Sequence, residues 1–337
     1  MTINIKEATL NLLSNLSSRQ KEIIERRFGL FGRDKETLEN IGEYFGITRE
    51  RVRQIQNNAI KNIQKKLEEK EIKEIFNYFE NYLLSLGGIR RKDLFLKALG
   101  NSDLENEISF LISLDKKILE FKENEKLFSF YALFPEIFEK VNKICDSLES
   151  YLQKENKLVQ KDEILKLFSN EKPEIVLSAI NISKNIKESY LQGYGLVSWP
   201  EVSPKSINDR IYIVLEKEGK PLHFKEITEL CNNLFANGAR KFITQTVHNE
   251  LIKDKRFVLI GRGIYALKKW GYEEGTVKEL IYKILKEQNK PLTKEEILQK
   301  ILEQRKIKPA TVLVNLYDKK YFQRDDQGRY FIKTSLI

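Results

Sequence analysis

Four polar side chains between positions 49 and 54 have types and a spacing that can read double-stranded DNA. Arg49, Glu50, Arg53 and Gln54 follow an i, i+1, i+4, i+5 pattern, so a helix would place them on one face. An arginine can bind guanine O6 and N7 together, a glutamine can pair with adenine, and a glutamate can accept a hydrogen bond from cytosine N4. This chemistry predicts a helix that lies in a DNA major groove.

Neighbouring residues extend this face with groups suited to the DNA backbone. Cationic side chains that bind phosphates position a protein on the duplex without specifying its sequence. The predicted DNA-binding residues are Thr48, Arg49, Glu50, Arg51, Arg53, Gln54 and Lys61.

Two short helices and a tight turn must position these side chains. Thr37 is a favourable N-cap for the first helix and Thr48 for the second, and Gly46 lies where the chain must turn with a positive φ. The apolar residues at helical spacing are Leu38, Ile41 and Phe45, then Val52, Ile55, Ala59, Ile60 and Ile63. An ordinary amphipathic helix with a solvated charged face is the alternative. The cap, the turn glycine and the two apolar stripes favour a helix-turn-helix.

The residues of this segment resemble region 4 of the sigma-70 family of bacterial sigma factors. The resemblance is carried by RFGL at residues 27–30 and by TLENIGEYFGITRERVRQI at residues 37–55. It implies that the second helix recognises a promoter −35 element and that the domain binds the flap of the RNA polymerase β subunit. Asn40 departs from the family, which usually has an acidic residue there, so the reciprocal half of a capping box is lost.

Arginines of the preceding helix leave two functions open. Arg19, Arg26 and Arg27 lie where they can contact phosphate or help to bind the polymerase, and surface charge without function is the alternative.

Composition sets the class of the protein. The chain has 337 residues, 41% of them hydrophobic, which is typical of a folded protein with two or more domains. Its net charge of +10 is compatible with a nucleic-acid partner, although lysine is abundant throughout the chain. Cys145 and Cys231 are far apart and form no CxxC motif, which favours a reducing compartment. No signal peptide or membrane-spanning run is evident, so we expect a cytoplasmic protein associated with the nucleoid and not with a membrane.

After residue 70, a different pattern recurs every ~65–70 residues. Predicted hairpins cover residues 118–121 with 127–130, 190–197, 257–267 and 321–332. In the last two repeats, predicted helices cover residues 207–217, 225–234 and 244–253, then 277–287, 294–304 and 309–317. Three helices followed by a hairpin are the elements of a winged helix. The predicted domains are 1–68, a helix-turn-helix, and 69–134, 135–204, 205–272 and 273–337, four winged-helix-like domains.

The domain at 205–272 resembles the HARE-HTH winged helix found in the RNA polymerase delta subunit. The resemblance is carried by KPLHFKEI and by TVHNELIKDKRFVLIGRGIYALKKWGY. Winged helices of this kind bind DNA or protein through the third helix and the wing. Thr244 and Gln245 at the start of that helix and Arg262 at the wing tip are therefore a possible second DNA or protein contact, with a solvated turn the alternative for Arg262.

The sequence gives little support for catalysis, metal binding or nucleotide binding. His223 and His248 are the only histidines, and neither has a Cys, a His or paired carboxylates at ligand spacing. Gly261-Arg262-Gly263 is too short for a phosphate-binding loop and lies within a predicted hairpin. We therefore expect no enzymatic activity, no metal and no cofactor.

These observations predict a mainly α protein, an N-terminal helix-turn-helix followed by tandem winged helices with small β-hairpin wings. The leading functional hypothesis is a sigma factor-like DNA-binding transcription protein that recognises a −35-like element and binds bacterial RNA polymerase. The alternative is a delta-like, polymerase-binding adaptor without sequence-specific DNA reading. A third hypothesis is an accessory module of a restriction system. The oligomeric state is left open.

Overall fold

The chain forms two compact bodies in a computed structural model. The structure describes residues 4–100, 103–236, 241–272, 277–304 and 309–333. The N-terminal body comprises the described residues up to Glu188 together with Gly193–Val197, and the C-terminal body comprises Ser189–Gln192 and the described residues from Ser198 onward. Both are mainly helical with small antiparallel sheets.

Four helices begin the N-terminal body. They are α1 (Ile5–Leu13), α2 (Ser18–Phe28), α3 (Leu38–Phe45) and α4 (Arg49–Gln64). Helix α2 begins with a complete capping box, in which Ser17 and Gln20 bond each other's backbone amides. It ends at Gly29, whose φ of 67° is the left-handed conformation that glycine adopts without steric cost.

Two further segments complete the N-terminal body. The first contains α5 (Lys70–Ser85), β1 (Ile89–Arg91), α6 (Lys92–Gly100), α7 (Glu105–Leu114), β2 (Leu119–Phe121) and β3 (Phe130–Ala132). The second contains α8 (Ile137–Glu155), α9 (Lys161–Leu167), α10 (Pro173–Ile182), β4 (Ile186–Glu188) and β5 (Tyr194–Leu196). In the first segment β3 is the central strand and pairs antiparallel with both β1 and β2.

The C-terminal body contains two more such segments. The first has α11 (Ile207–Glu218), β6 (Leu222–His223), α12 (Phe224–Phe235), α13 (Thr244–Lys253), β7 (Phe257–Gly261) and β8 (Ile264–Leu267). The second has α14 (Val277–Gln288), α15 (Lys294–Gln304), α16 (Pro309–Leu316), β9 (Phe322–Arg324) and β10 (Tyr330–Ile332). The six helices predicted here are confirmed to within one residue at each end.

All four segments share one order of elements. A helix leads to a short strand or a single β-bridge, two helices follow, and a hairpin closes the segment. Bridges join Val159 to Tyr194 and Leu292 to Tyr330, at the positions that β1 and β6 occupy in the other two segments. The predicted fold class, mainly α with an N-terminal helix-turn-helix and small β-hairpin wings, is confirmed. The HARE-HTH resemblance stays a prediction.

Two predicted hairpins differ from the structure in their strand positions. The predicted strand at 127–130 lies instead at β3, two to three residues later. The hairpin predicted at 190–197 has only its second strand there, because Gln192 and Gly193 have positive φ angles of 66° and 85° and form the turn. Its first strand is β4, which the sequence pattern did not indicate.

A single hydrophobic core extends through the first half of the N-terminal body. It joins buried residues of α1, α2 and α4 to buried residues of α5, α6 and α7, among them Leu13, Ile24, Ile63, Phe79 and Phe110. The core therefore includes side chains from both sides of the predicted boundary at residue 68. The domain boundaries themselves stay predictions.

Candidate nucleic-acid interface

Local capping interactions build the helix-turn-helix as the sequence predicts. The hydroxyl of Thr37 accepts from the amide of Asn40 at 3.1 Å, and the hydroxyl of Thr48 accepts from the amide of Arg51 at 3.2 Å. Gly46 ends α3 with a φ of 63°. Both N-caps and the turn glycine are therefore confirmed.

The side chain of Asn40 contacts its N-cap, Thr37, in a way that differs from a capping box. The Thr37 hydroxyl donates to Asn40 Oδ1 at 3.0 Å. This contact joins the two side chains, whereas the reciprocal bond of a capping box would go to the backbone amide of Thr37.

A small apolar cluster fixes the angle between the helices. Ile23, Ile41 and Val52 are fully buried, and the half-buried side chains that pack on them are Leu38, Phe45, Ile47 and Ile55. The predicted stripe of α4 continues through Ala59 and Ile63, which belong to the larger core. One side of α4 is thereby held in place along its whole length, and the other side is left to solvent.

That exposed side carries every predicted DNA-binding residue. The predicted residues, all of them exposed, are Thr48, Arg49, Glu50, Arg51, Arg53, Gln54 and Lys61. At 3.6 residues per turn, Glu50, Arg53, Gln54 and Lys61 lie opposite the buried stripe. The structure thus brings the predicted set to one surface, while its contact with DNA remains a proposal.

Arg53 and Glu50 form a two-pronged ion pair on this face. Arg53 Nε donates to Glu50 Oε2 at 2.8 Å, and Arg53 Nη2 donates to Glu50 Oε1 at 2.7 Å. The hydrogen bonds lower the pKa of Glu50 and raise the pKa of Arg53, so both stay charged at neutral pH. A guanidinium has five N–H donors, so the edge formed by Nη1 and the second hydrogen of Nη2 stays free for a guanine.

Gln54 is oriented by a neighbouring arginine on the same helix. Arg51 Nη1 donates to Gln54 Oε1 at 3.1 Å. Pairing with adenine uses the glutamine oxygen as an acceptor and its amide as a donor. Because an amide oxygen has two lone pairs, Gln54 Oε1 can accept from adenine while it keeps the bond from Arg51.

Asn57 is a candidate that our sequence reasoning missed. Its side chain is exposed one turn beyond Arg53 on the same face of α4. An asparagine amide can pair with adenine as a glutamine does. The signal was available, because the i, i+4 spacing that joins Arg49 to Arg53 continues to position 57.

The arginines of α2 have partners within the protein. Arg26 forms ion pairs with Glu22 and Glu36, both at 2.9 Å, and its guanidinium lies 3.7 Å from the centre of the Tyr44 ring. Arg27 donates to the carbonyl of Glu36 at 2.9 Å. These contacts give Arg26 and Arg27 a structural role between α2 and the residues just before α3. The sequence pattern had left the function of both arginines open.

The second predicted site is divided between a helix and a turn. Thr244 is half-buried at the start of α13, and the exposed Gln245 donates to Asn249 at 3.0 Å. Arg262 is exposed in the turn between β7 and β8. Among the described residues, no hydrogen bond joins Arg262 to α13.

The described ranges also bear on the two cysteines, on possible metal sites and on membrane-spanning helices. Cys145 and Cys231 are buried free thiols, and burial raises the pKa of each to about 12. Within the part of the chain that the structure describes, no group of three His, Cys, Asp or Glu side chains is placed to hold a metal ion. In the same ranges, none of the helices has the length and apolar character required to span a bilayer.

Gly42 lets α3 approach the turn before α4, and an alanine there should disrupt the motif. A Cβ at this position would lie 2.7 Å from the carbonyl oxygen of Ile47, which is backbone and cannot rotate away. We expect Gly42→Ala to lower the free energy of unfolding by about 1–3 kcal/mol, as overpacking does. Thermal unfolding followed by circular dichroism measures this loss.

Gly46→Ala is the matched control for Gly42→Ala. Its Cβ would meet nothing within 4 Å, so its expected cost of about 1–2 kcal/mol comes only from the positive φ. Asparagine tolerates that conformation, so Gly46→Asn should recover part of the loss, whereas Gly42→Asn should not. Equal recovery at both positions would contradict the steric explanation.

Comparison with known families agrees with this geometry. Residues 12–65 match the family model described as Sigma-70, region 4. The match covers α2, α3 and α4 and ends just after the last turn of α4. The N-terminal part of the chain is thus similar to region 4 of sigma-70 factors and contains a DNA-binding helix-turn-helix related to them.

Proposed function

We propose that this chain is a sigma factor-like transcription protein that recognises a promoter −35-like element through α4 and binds RNA polymerase. The observation that carries the proposal is the exposed face of α4, where Glu50, Arg53 and Gln54 lie away from the apolar stripe that is buried at Val52, Ala59 and Ile63. Such a protein acts in transcription initiation or its regulation and needs no catalytic residues, metal or cofactor of its own.

The proposed complex divides the face of α4 between bases and phosphates. Arg49, Glu50, Arg53 and Gln54 contact base edges, because the N-terminal residues of a recognition helix reach the floor of the major groove. Arg51 and Lys61 contact phosphates, and the positive net charge of the chain adds attraction that depends on salt. Thr48 holds the N-terminus of the helix against the duplex.

Fluorescence anisotropy with labelled duplexes tests this proposal. The full chain is titrated with a TTGACA-like duplex, a scrambled duplex of the same composition and a mixed-sequence duplex at several salt concentrations. We expect the TTGACA-like duplex to bind more tightly at every salt concentration, and all affinities to fall as salt rises. Equal affinity for all three duplexes would overturn sequence-specific reading.

Contact with the polymerase must use exposed side chains. The apolar sides of α1, α2 and α4 are buried in the chain's own core with α5, α6 and α7. Binding to the β flap, which the sequence resemblance implies, is therefore proposed through polar and exposed surface of the helix-turn-helix. Pull-down of purified RNA polymerase core enzyme by the full chain, with and without DNA, tests this contact.

A second candidate function is a polymerase-binding adaptor without sequence-specific reading. The observation that favours it is the surface of α13, where Ile252 is 64% exposed and Ile243, just before the helix, is 57% exposed. Large aliphatic side chains suit a protein partner better than a DNA backbone. The pull-down and anisotropy experiments distinguish the two candidate functions. Only the adaptor function predicts that the chain binds polymerase and also binds all duplexes with equal affinity.

A further inference from the structure

Helix α7 is the third helix of its segment, yet it has almost no exposed surface. In the predicted winged-helix arrangement, the third helix is the one that binds DNA or a protein partner. Here Glu107, Ile108, Phe110, Leu111, Ile112 and Leu114 are buried, and Ser113 is the one exposed residue of the helix. Helix α7 therefore has no polar face that can reach base edges.

The end of α2 and the residues that follow it cover part of α7, beside α1 and α6. Phe31 N donates to Glu107 Oε1 at 2.7 Å, and Asn106 Nδ2 donates to the carbonyl of Gly29 at 2.8 Å. The rings of Phe28 and Phe110 pack with their centroids 4.8 Å apart. The first turn of α7 thus binds the start of the connector, residues 29–36, which joins α2 to α3.

The connector needs this support because of its backbone. Phe31 has a φ of 58°, which is uncommon for any residue with a side chain. Its amide bonds the Glu107 carboxylate, which is itself only 2% exposed. Losing either partner would leave the other buried without that hydrogen bond, and an unpaired buried polar group is costly.

The other end of the connector is bound to α2. Glu36 N donates to the carbonyl of Arg26 at 2.9 Å, and Arg26 Nη1 donates to Glu36 Oε1 at 2.9 Å. Thr37, the N-cap of α3, follows directly. The connector therefore has anchors at both ends, which add to the apolar cluster in positioning α3 and, through the turn at Gly46, α4.

Helix α10, the third helix of the next segment, also packs on the part of the chain that precedes its own segment. Ser178 Oγ donates to the carbonyl of Leu86 at 3.1 Å, and Ile175 packs directly on Gly87. Arg91 donates to the carbonyl of Asn181 at 3.2 Å. The exposed residues of α10 are Pro173, Glu174 and Asn181, which form no basic surface.

We propose that α7 and α10 are docking helices that bind the preceding part of the chain rather than DNA, and that Glu107 is a positioning residue for the helix-turn-helix. Glu107 touches no DNA and acts through the connector on α3 and α4. The inference rests on the proposed function only for its DNA-binding readout, since the docking contacts are also measurable without DNA.

Variants of the full chain at Glu107 test the positioning role. Glutamine keeps an oxygen that can accept from Phe31 N, whereas leucine removes the acceptor at similar volume. We expect Glu107→Leu to raise amide hydrogen exchange across residues 29–36 and to weaken binding of the TTGACA-like duplex about tenfold. Glu107→Gln should restore most of both properties. The preference for that duplex over the scrambled one should persist, because the base-reading side chains are unchanged.

Two further variants keep the test decisive. Glu105→Gln removes a carboxylate from the same helix turn that attracts Lys35 of the connector but makes no hydrogen bond to the connector among the described residues, and it should change both readouts much less than Glu107→Leu. If Glu107→Leu does not fold, Asn106→Ala removes the second connector contact more mildly and should raise exchange in the same residues. Unchanged amide hydrogen exchange at residues 29–36 in Glu107→Leu, or in Asn106→Ala where the leucine variant cannot be measured, would overturn the proposal.

Failure of the proposed function would have a different result. Wild-type chain that binds all duplexes equally would overturn the proposed function, and the result of the hydrogen-exchange experiment would still hold.

A tethered cleavage probe tests whether α7 lies away from DNA. Both native cysteines are buried, so a single cysteine at an exposed position can be labelled selectively with an iron chelate. We expect the label on Asn58→Cys, exposed in α4 one turn beyond Gln54, to cut bound duplex, and the label on Ser113→Cys, in α7, to leave it uncut. Cutting from position 113 as strong as that from position 58 would contradict the docking role.

Discussion

Replacing Arg53 by alanine is expected to abolish most of the discrimination between the TTGACA-like duplex and a scrambled one. The guanidinium edge left free by Glu50 is the strongest candidate for a bidentate base contact on α4. Loss of such a contact should reduce the affinity ratio roughly tenfold to a hundredfold. Competition anisotropy at constant salt measures the ratio directly.

The carboxylate of Glu50 adds to the expected loss. Without Arg53, its negative charge stays on the DNA-facing side of α4 and is repelled by phosphates. The double variant Glu50→Ala with Arg53→Ala should therefore bind the scrambled and mixed-sequence duplexes more tightly than Arg53→Ala alone, while discrimination stays low.

Lys70→Ala is the matched control for Arg53→Ala. It removes the same charge from a side chain that is 89% exposed at the start of α5. We expect a small loss for all duplexes and an unchanged affinity ratio. If Lys70→Ala and Arg53→Ala lower the ratio equally, the face of α4 is not a base reader.

Replacing Phe110 by alanine is expected to be the most destabilising of the substitutions considered. Phe110 is fully buried in the core shared by the helix-turn-helix and the segment from α5 to β3. Truncation of a buried phenylalanine costs about 3–5 kcal/mol. Urea unfolding should show this loss, and native-state hydrogen exchange should show amides of α2 and α5 losing protection by the same amount.

The exposed Phe134 supplies the control for Phe110→Ala. Its side chain is 44% exposed, so Phe134→Ala should cost much less and leave the protection of α2 unchanged. Unchanged protection of α2 in Phe110→Ala would show that the helix-turn-helix unfolds independently of α5 to α7.

Local interactions explain why the helix-turn-helix was readable in the sequence. A threonine cap needs only an amide three residues later, and the φ of Gly46 follows from the tight turn itself. The helices of the C-terminal body were predictable for the same reason, since apolar spacing and turn residues act within a few positions. The predicted positions of β3 and β4 were wrong because the position of a short strand depends on the strand that pairs with it, which lies elsewhere in the chain.

The apolar faces, the helix starts and the polar side chains on the exposed side of α4 can all be identified from the order of residues. What covers each apolar face depends on contacts between parts of the chain that are distant in sequence. The bond from Phe31 to Glu107 joins residues 76 positions apart, and no periodicity records such a partner. Periodicity describes one helix at a time, whereas burial depends on the surface that another helix brings against it. For that reason the spacing of apolar residues did not show that α7 would be buried on nearly all sides while α4 keeps its polar face in solvent.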